Sequence, residues 1–368
     1  MYRKNYKFII SGGGTGGHLF PALAIADELK HRFPDADILF IGAKNRMEIE
    51  RVPAAGYRVI GLPVSGFDRK NLPGNFRVLA RLVKSLRMAK KIIRDFNPDV
   101  AIGVGGYASG PTLWMASSLH IPVLIQEQNS YAGMTNKLLG KRAAKICVAY
   151  RGMKAYFPED RIVITGNPVR KTLEMTHEKN EEAFSYFGLK AGMPVLLVLG
   201  GSLGARTINQ STGKGLASLQ DAGVQVIWQT GKINSGNYES GNGLWVSDFI
   251  TRMDYAYAVA DLVVSRAGAG TISELCLLKK ATILVPSPNV AEDHQTKNAL
   301  ALSTHHAAVL IPDHMAEEHL TATAVDLLKN NERLSRLREN IAGFAQYDSA
   351  KRIADEIVKL IYREDEHQ

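Results

Sequence analysis

Cysteine is scarce, with two in 368 residues, Cys147 and Cys276. That excludes a disulfide scaffold, and both lie in apolar runs that suit small core residues in a reducing cytoplasm. Long apolar runs are missing as well. No stretch approaches the ~18 residues that a transmembrane helix needs, so any membrane contact is expected to be peripheral. Near the start, Phe8-Ile9-Ile10 is too short for the apolar region of a signal peptide. There is no His-Glu-x-x-His and no paired Cys-x-x-Cys, so zinc has no sequence support, and the D-x-D signature at Asp35-Ala36-Asp37 falls at the wrong end of a strand, so no dedicated metal site is expected. Acidic residues are fewer than basic ones, 36 against 45, which leaves a net charge of +9. Such a balance admits nucleic acid, anionic membrane or phosphorylated ligands, and does not choose among them.

What is present is an ordinary globular composition, 45% hydrophobic and 22% charged. At roughly 150 residues per domain, the length favours two domains. Short runs rich in Val, Ile and Leu alternate with longer amphipathic segments. The runs are 8–11, 38–41, 100–104, 123–126, 146–149 and 162–165 in the first half. In the second half they are 195–199, 224–229, 262–264, 282–285 and 308–310. Few alternate strictly, as expected of parallel strands covered on both faces by crossover helices. The expected class is therefore α/β and doubly wound.

The chain also repeats itself. Phe8-Ile9-Ile10-Ser11 runs into Gly12-Gly13-Gly14-Thr15-Gly16-Gly17-His18, and Val195–Leu199 runs into Gly200-Gly201-Ser202-Leu203-Gly204-Ala205-Arg206. The two glycine runs start 188 positions apart, about half the chain. Two similar domains follow, 1–168 and 169–345, with the boundary near Asn167-Pro168. They are expected to face each other across a cleft, with ligands at the carboxyl ends of the strands.

Each motif has a bland and a sharp reading. Gly12-x-Gly14-x-x-Gly17 matches the dinucleotide fingerprint, yet the second strand ends Ile41-Gly42-Ala43-Lys44 with no acid at its tip, where that fold needs one. A plain tight turn remains open for this loop. It is not a Walker A loop either, because His18 and Leu19 stand where Lys and Ser or Thr belong. Gly200-x-Ser202-x-Gly204 matches a hydrolase nucleophile elbow, but that reading leaves the first glycine loop unexplained. An anion held at a helix N-terminus suits both loops. Asp35-Ala36-Asp37 precedes a strand, at the wrong end for a ligand, and reads as a solvated turn. Polar loops after strands fall at 103–110, 126–129, 166–170, 265–274 and 292–298. From Arg69 to Arg94 there are nine Lys or Arg and no acid. Arg77, Arg81, Lys84, Arg87, Lys91 and Arg94 share a helical face beside Leu79, Leu82, Val83, Leu86, Ala89 and Ile93. This is a crossover helix packed on the sheet, and equally a surface for anionic lipid, with Leu72 and Phe76 as apolar anchors. Nucleic acid is not an expected partner, since the basic residues concentrate in one amphipathic segment.

From Gly13 to Ala24 the sequence resembles the MurG-type N-acetylglucosaminyltransferases of peptidoglycan synthesis. The likeness continues through Glu127-Gln128-Asn129, Thr135-Asn136-Lys137, 166–170, 200–206, Arg266-Ala267-Gly268-Ala269, Thr271-Ile272-Ser273-Glu274 and Gln295. These motifs span nearly the whole chain in the family's order. The resemblance implies a GT-B fold of two Rossmann-like domains, with a C-terminal helix, about 346–368, returning to the first. It implies inverting transfer of N-acetylglucosamine from UDP-N-acetylglucosamine to undecaprenyl-pyrophosphoryl-N-acetylmuramoyl-pentapeptide, lipid I becoming lipid II. The place would be the cytoplasmic membrane face, without a cofactor, in the service of cell-wall growth and division.

By position, the resemblance gives the second domain the donor. Ile250 would meet uracil through its backbone, Glu274 the ribose hydroxyls, and Ser202 with Arg170 the diphosphate. Ala269, Thr271 and Gln295 would complete that site. Thr15, Gly16, Gly17 and Asn129 would close it from the first domain. Gly270 and His294 depart from the family's usual residues. Inversion needs a base for the acceptor hydroxyl. His18, a residue type that titrates near neutrality, is the first candidate and Glu127 the second. For His18, a role in merely shaping the loop stays open.

Overall fold

The computed structural model describes residues 5–14, 16–64, 75–169, 173, 179–201, 204–232 and 238–365. They form two units, 1–169 with 347–368, and 170–346. In chain order the first unit runs β1 (Lys7–Ser11), α1 (Gly16–Arg32), β2 (Asp37–Ala43), α2 (Glu48–Ala54), β3 (Arg58–Leu62) and α3 (Asn75–Phe96). It continues with β4 (Val100–Gly103), α4 (Ser109–Ser118), β5 (Val123–Glu127), α5 (Met134–Gly140), β6 (Lys145–Val148) and β7 (Ile162–Ile164). The second unit holds α6 (Glu181–Tyr186), β8 (Val195–Leu199), α7 (Arg206–Asp221), β9 (Gln225–Gln229), β10 (Leu244–Ser247) and α8 (Met253–Val259). Then come β11 (Leu262–Ser265), α9 (Ala269–Leu277), β12 (Ala281–Leu284), α10 (His294–Ser303), β13 (Val309–Leu310), α11 (Ala316–Lys329) and α12 (Asn331–Ala342). The last helix, α13 (Ser349–Asp365), belongs to the first unit.

Both sheets are parallel. Their strand orders are β3-β2-β1-β4-β5-β6-β7 and β10-β9-β8-β11-β12-β13. In each, the order reverses beside the strand that feeds a glycine loop, which is where a doubly wound sheet opens a crevice at its carboxyl edge. Register fixes the reversal: Phe8 pairs with Ile38 on one side and Val100 on the other, and Leu197 with Ile227 and Val263.

Strand residues alternate between two cores. Phe8, Ile10, Phe40 and Ile102 pack under α1 and α13, whereas Ile9, Leu39, Ile41 and Ala101 face the layer holding Ala89, Ile93, Leu113 and Leu139. Ile353, Ala354 and Ile357 of α13 are fully buried against α1. The Arg32 guanidinium clamps that contact, pairing with Asp355 at 2.6 Å and donating to the Lys351 carbonyl at 2.8 Å. Each fully buried aliphatic contributes about 1.5–3 kcal/mol before entropy is counted, so α13 is a structural part of the first unit.

Two strands lack the sequence signal. β3 carries Arg58 and Gly61 and alternates between exposed and half-buried positions, and β10 is mostly half-buried. Both are edge strands, where one side of the ladder meets solvent and long apolar runs are unnecessary. The Asp35-Ala36-Asp37 segment stands at the amino end of β2, where Asp37 pairs with exposed Arg58 at 2.6 Å.

One expectation needs correcting. The apolar face of α3 does not pack as a whole. Ser85, Ala89 and Ile93 are buried, but Leu79 is 51% and Val83 41% exposed. Leu79, Ala80, Val83 and Met88 line a shallow apolar surface beside Lys84 and Arg87. The first turns of the helix thus leave apolar side chains in solvent. Leu72 lies outside the described residues, as do the side chains of Phe76 and Arg77.

Candidate functional site

In the first unit the site starts at the glycine loop between β1 and α1. Gly13 and Gly14 take φ of +138° and +87°, conformations that side chains resist. Gly106, after β4, approaches so closely that a Cβ there would lie 2.4 Å from the Gly13 carbonyl oxygen. The loops of the two switch-point strands therefore touch backbone to backbone. Gly16 and Gly17 open α1, and half-buried His18 follows in its first turn. His18 Nδ1 lies 3.2 Å from the Gly13 carbonyl oxygen. A carbonyl only accepts, so in this bond Nδ1 carries the hydrogen and neutral His18 keeps its lone pair on Nε2. A Cβ at Gly105 would lie 2.9 Å from Nε2, so glycine there leaves that nitrogen room. Thr15 lies outside the described residues.

The loop after β5 is tied to the same edge. Gln128 donates to the Val104 carbonyl at 2.7 Å and also bonds Gln126, which donates to Asn167 at 2.8 Å. Asn167 returns a bond to the Gln128 carbonyl at 3.0 Å.

Glu127 sits under this network, 2% exposed. Its Oε1 accepts from the backbone N–H of Asn129 at 3.0 Å and from the Asn129 amide at 3.3 Å. Its Oε2 accepts from the Gly133 N–H at 3.0 Å and the Asn136 amide at 2.8 Å. Four donors fill the lone-pair positions of a carboxylate. The geometry thus gives Glu127 the work of folding the loop that carries half-buried Asn129, and leaves it poorly placed as a base.

The second unit gathers its residues at the equivalent edge. Gly201 and Gly204 take φ of +79° and +90° in the turn before α7. Ser202, within that turn, and Arg170 lie outside the described residues. After β10, the backbone N–H of Ile250 donates to Gln229 Oε1 at 3.0 Å. That N–H is therefore engaged, and a base at Ile250 would meet its carbonyl first. Ala269 and Thr271 lie in the first turn of α9, and Glu274 follows one turn later on the half-buried side. The Tyr257 hydroxyl donates to Glu274 Oε2 at 3.0 Å. Gln295, in the first turn of α10, accepts from the Ser287 N–H at 2.9 Å. Just before it, Glu292 and Asp293 both hold positive φ, 57° and 51°. Consecutive non-glycine residues in that region store strain of about 1–3 kcal/mol each, a pattern that gathers at ligand sites. Arg266 ties the loop after β12 down, donating to the Val285 and Pro286 carbonyls at 3.1 Å and pairing with Asp313.

The sequence reading missed Glu48, Gln229 and Tyr257, which hold the site residues from behind. A possible signal for Glu48 was an acid on the apolar side of Met47–Val52. The cysteines take no part, since burial pushes both thiols up to about 12. Among the described residues no cluster of His, Cys, Asp or Glu could hold a metal ion.

Two parallel sheets with loop sets at their carboxyl edges form an architecture that solved glycosyltransferase structures share. A calicheamicin glycosyltransferase, CalG4, superimposes with a TM-score of 0.70 over 97% of this chain and 99% of its own, at 16% identity, a likeness of fold alone. The MurG crystal structure from Acinetobacter baumannii reaches a TM-score of 0.77 at 26% identity, covering 96% and 99%. Residues 8–148 match the glycosyltransferase family 28 N-terminal domain, and residues 195–353 the C-terminal domain. A UDP-N-acetylglucosamine–N-acetylmuramyl-(pentapeptide) pyrophosphoryl-undecaprenol N-acetylglucosamine transferase from Parabacteroides distasonis is 61% identical over 97% of this chain and 99% of its own. A transferase of the same name from Cytophaga hutchinsonii is 52% identical over 98% of both. The chain belongs to glycosyltransferase family 28 and, within it, to the MurG-type N-acetylglucosaminyltransferases.

Proposed function

We propose that the protein transfers N-acetylglucosamine from UDP-N-acetylglucosamine to the lipid-linked muramoyl-pentapeptide acceptor, lipid I, inverting the anomeric carbon. One observation carries this reading, the identity of 61% along nearly the whole chain to a transferase of that name. The residue roles follow the family's motifs. In the second unit, Glu274 accepts ribose hydroxyls, the Ile250 carbonyl meets the base, and Gln295 with Ala269 and Thr271 borders the sugar. By those motifs Ser202 and Arg170 hold the diphosphate. By the same motifs, Thr15, Gly16, Gly17 and Asn129 are the substrate-binding residues of the first unit.

The acceptor hydroxyl attacks the anomeric carbon and gives its proton to His18 Nε2. The new carbon–oxygen bond forms as the bond to the β-phosphate oxygen breaks, and UDP leaves with the electron pair. Backbone amides, the positive end of α7 and Arg170 spread that charge. Among the described residues no helix is long and apolar enough to cross a membrane. Access to a lipid acceptor then rests on peripheral docking, for which exposed Leu79 and Val83 beside Lys84 and Arg87 are suited.

The test is incubation with radiolabelled UDP-N-acetylglucosamine and a lipid I analogue. Labelled lipid product is expected, and its absence under every metal and detergent condition would overturn the reading. His18→Ala is expected to lower turnover about 100-fold or more, within the range for a lost general base, with UDP binding little changed.

A further inference from the structure

The Gly13–Gly14 peptide carries two bonds at once. Its carbonyl oxygen accepts from His18 Nδ1 at 3.2 Å. Its N–H, on Gly14, donates to Glu48 Oε2 at 2.9 Å. The other oxygen, Glu48 Oε1, accepts from the Ala43 N–H at the tip of β2, also at 2.9 Å. Glu48 is 1% exposed. Glycines make its place. A Cβ at Gly13 would lie 2.4 Å from the Glu48 carboxyl carbon, and one at Gly42 would lie 2.4 Å from its Cγ. The chain thus runs carboxylate, peptide, imidazole.

We propose that Glu48 is the positioning residue for His18, setting its tautomer and supporting its positive charge through the Gly13–Gly14 peptide. The proposal rests on the reading of His18 as the base. Peptide resonance joins the N–H to the carbonyl, so an anion on the N–H side makes the oxygen a stronger acceptor. That oxygen holds the proton on Nδ1, so the lone pair that takes the acceptor's proton is the one on Nε2. It also steadies the imidazolium once the proton arrives. No proton passes through the peptide. A directly bonded carboxylate does the same work in a Ser-His-Asp triad, and here one peptide stands between. Among the described residues, the neighbouring loops offer His18 less. From β5, Gln128 is neutral and Glu127 is filled by its own loop, while Tyr107, after β4, is 55% exposed.

The experiment compares wild type, Glu48→Gln and His18→Ala as full chains. It reads kcat and donor KM across pH and the nitrogen-15 spectrum of labelled histidine, with the His18 signals assigned by their loss in His18→Ala. Wild-type His18 is expected to be neutral with Nδ1 protonated. Glu48→Gln is expected to lower kcat about 10- to 100-fold, the scale seen when a metal-bound histidine loses the carboxylate behind it. The donor KM stays put, the acidic limb of the rate profile moves to lower pH, and the tautomers mix. If His18→Ala keeps its turnover, the base reading falls and this proposal with it. If His18→Ala is inactive while Glu48→Gln keeps the wild-type limb and tautomer, this proposal alone falls, whatever kcat does. Should Glu48→Gln fail to fold, the same readings are taken on Glu48→Asp, whose shorter arm cannot hold both N–H groups. An unchanged limb and tautomer there overturns the proposal, as does a wild-type His18 protonated on Nε2.

Discussion

Replacing Glu127 by Gln separates the two roles a buried carboxylate can have at this edge. Gln has the same shape, but one oxygen in place of two. It can serve the Asn129 pair or the Gly133 and Asn136 pair, and its amide NH2 must then face the other pair. The side-chain amide on that side can turn over and offer its oxygen. The backbone N–H cannot. One half-buried N–H is therefore left without its protein acceptor, at a cost of about 1–3 kcal/mol. The two bonds that survive lose their charge assistance, about 1 kcal/mol each. The sum is about 3–5 kcal/mol. For a folding unit of this size each kcal/mol lowers the midpoint by about 2–4 °C. The transition of the first unit should therefore fall by about 10 °C in calorimetry, with UDP binding by the second unit unchanged. Activity should persist at low temperature with a normal pH profile. A midpoint within 2 °C of wild type, combined with a loss of turnover of about 100-fold or more, the scale of a lost general base, would refute this reasoning and return Glu127 to the list of bases.

Three further outcomes are expected. Glu274→Gln should raise the donor KM about 10-fold or more through weaker bonds to the ribose, leaving the acceptor KM alone; an unchanged donor KM would remove Glu274 from the site. Burial, with Arg338 nearby, holds the Lys280 ammonium down at about 8 against an ordinary 10.5. Between those values the unfolded chain keeps the proton and the native one releases it. Stability therefore rises with pH across that window, by up to about 3 kcal/mol. In Lys280→Met that rise disappears, so a wild-type-minus-variant difference in urea midpoint that stays flat from pH 8 to 10.5 would contradict it. Neutralising Arg81, Lys84 and Arg87 together should weaken binding to anionic vesicles roughly 100-fold at low salt, for about 1 kcal/mol per basic side chain. Binding that ignores both the substitutions and salt would leave α3 as a crossover helix only.

How much of this was legible depended on what each residue answers to. Strands buried on both faces must be apolar throughout, so β1 and β8 announced themselves, and with them the doubled fold. The edge strands β3 and β10, mostly half-buried or exposed and carrying Arg58, Gly61 and Ser247, stayed silent. Glycines that turn or touch backbone must be glycine, so both loops at the switch points could be found from their residues alone. The side chains that hold those loops obey no such spacing. Glu48 lies 34 positions after Gly14 and reaches it only because β2 runs beside β1 and α2 folds back over the strand end. Its position also changes what an acid near β2 means. The dinucleotide fingerprint asks for a carboxylate at that tip to take a ribose, and the sequence reading found none there. The structure brings one close, yet both of its oxygens are given to backbone N–H groups, one of them in the glycine loop itself. At 1% exposed, that carboxylate is out of reach of a ribose. On the proposed reading, the first glycine loop holds a histidine in place and the nucleotide belongs to the second loop, where Glu274 stands on α9 with its partner Tyr257.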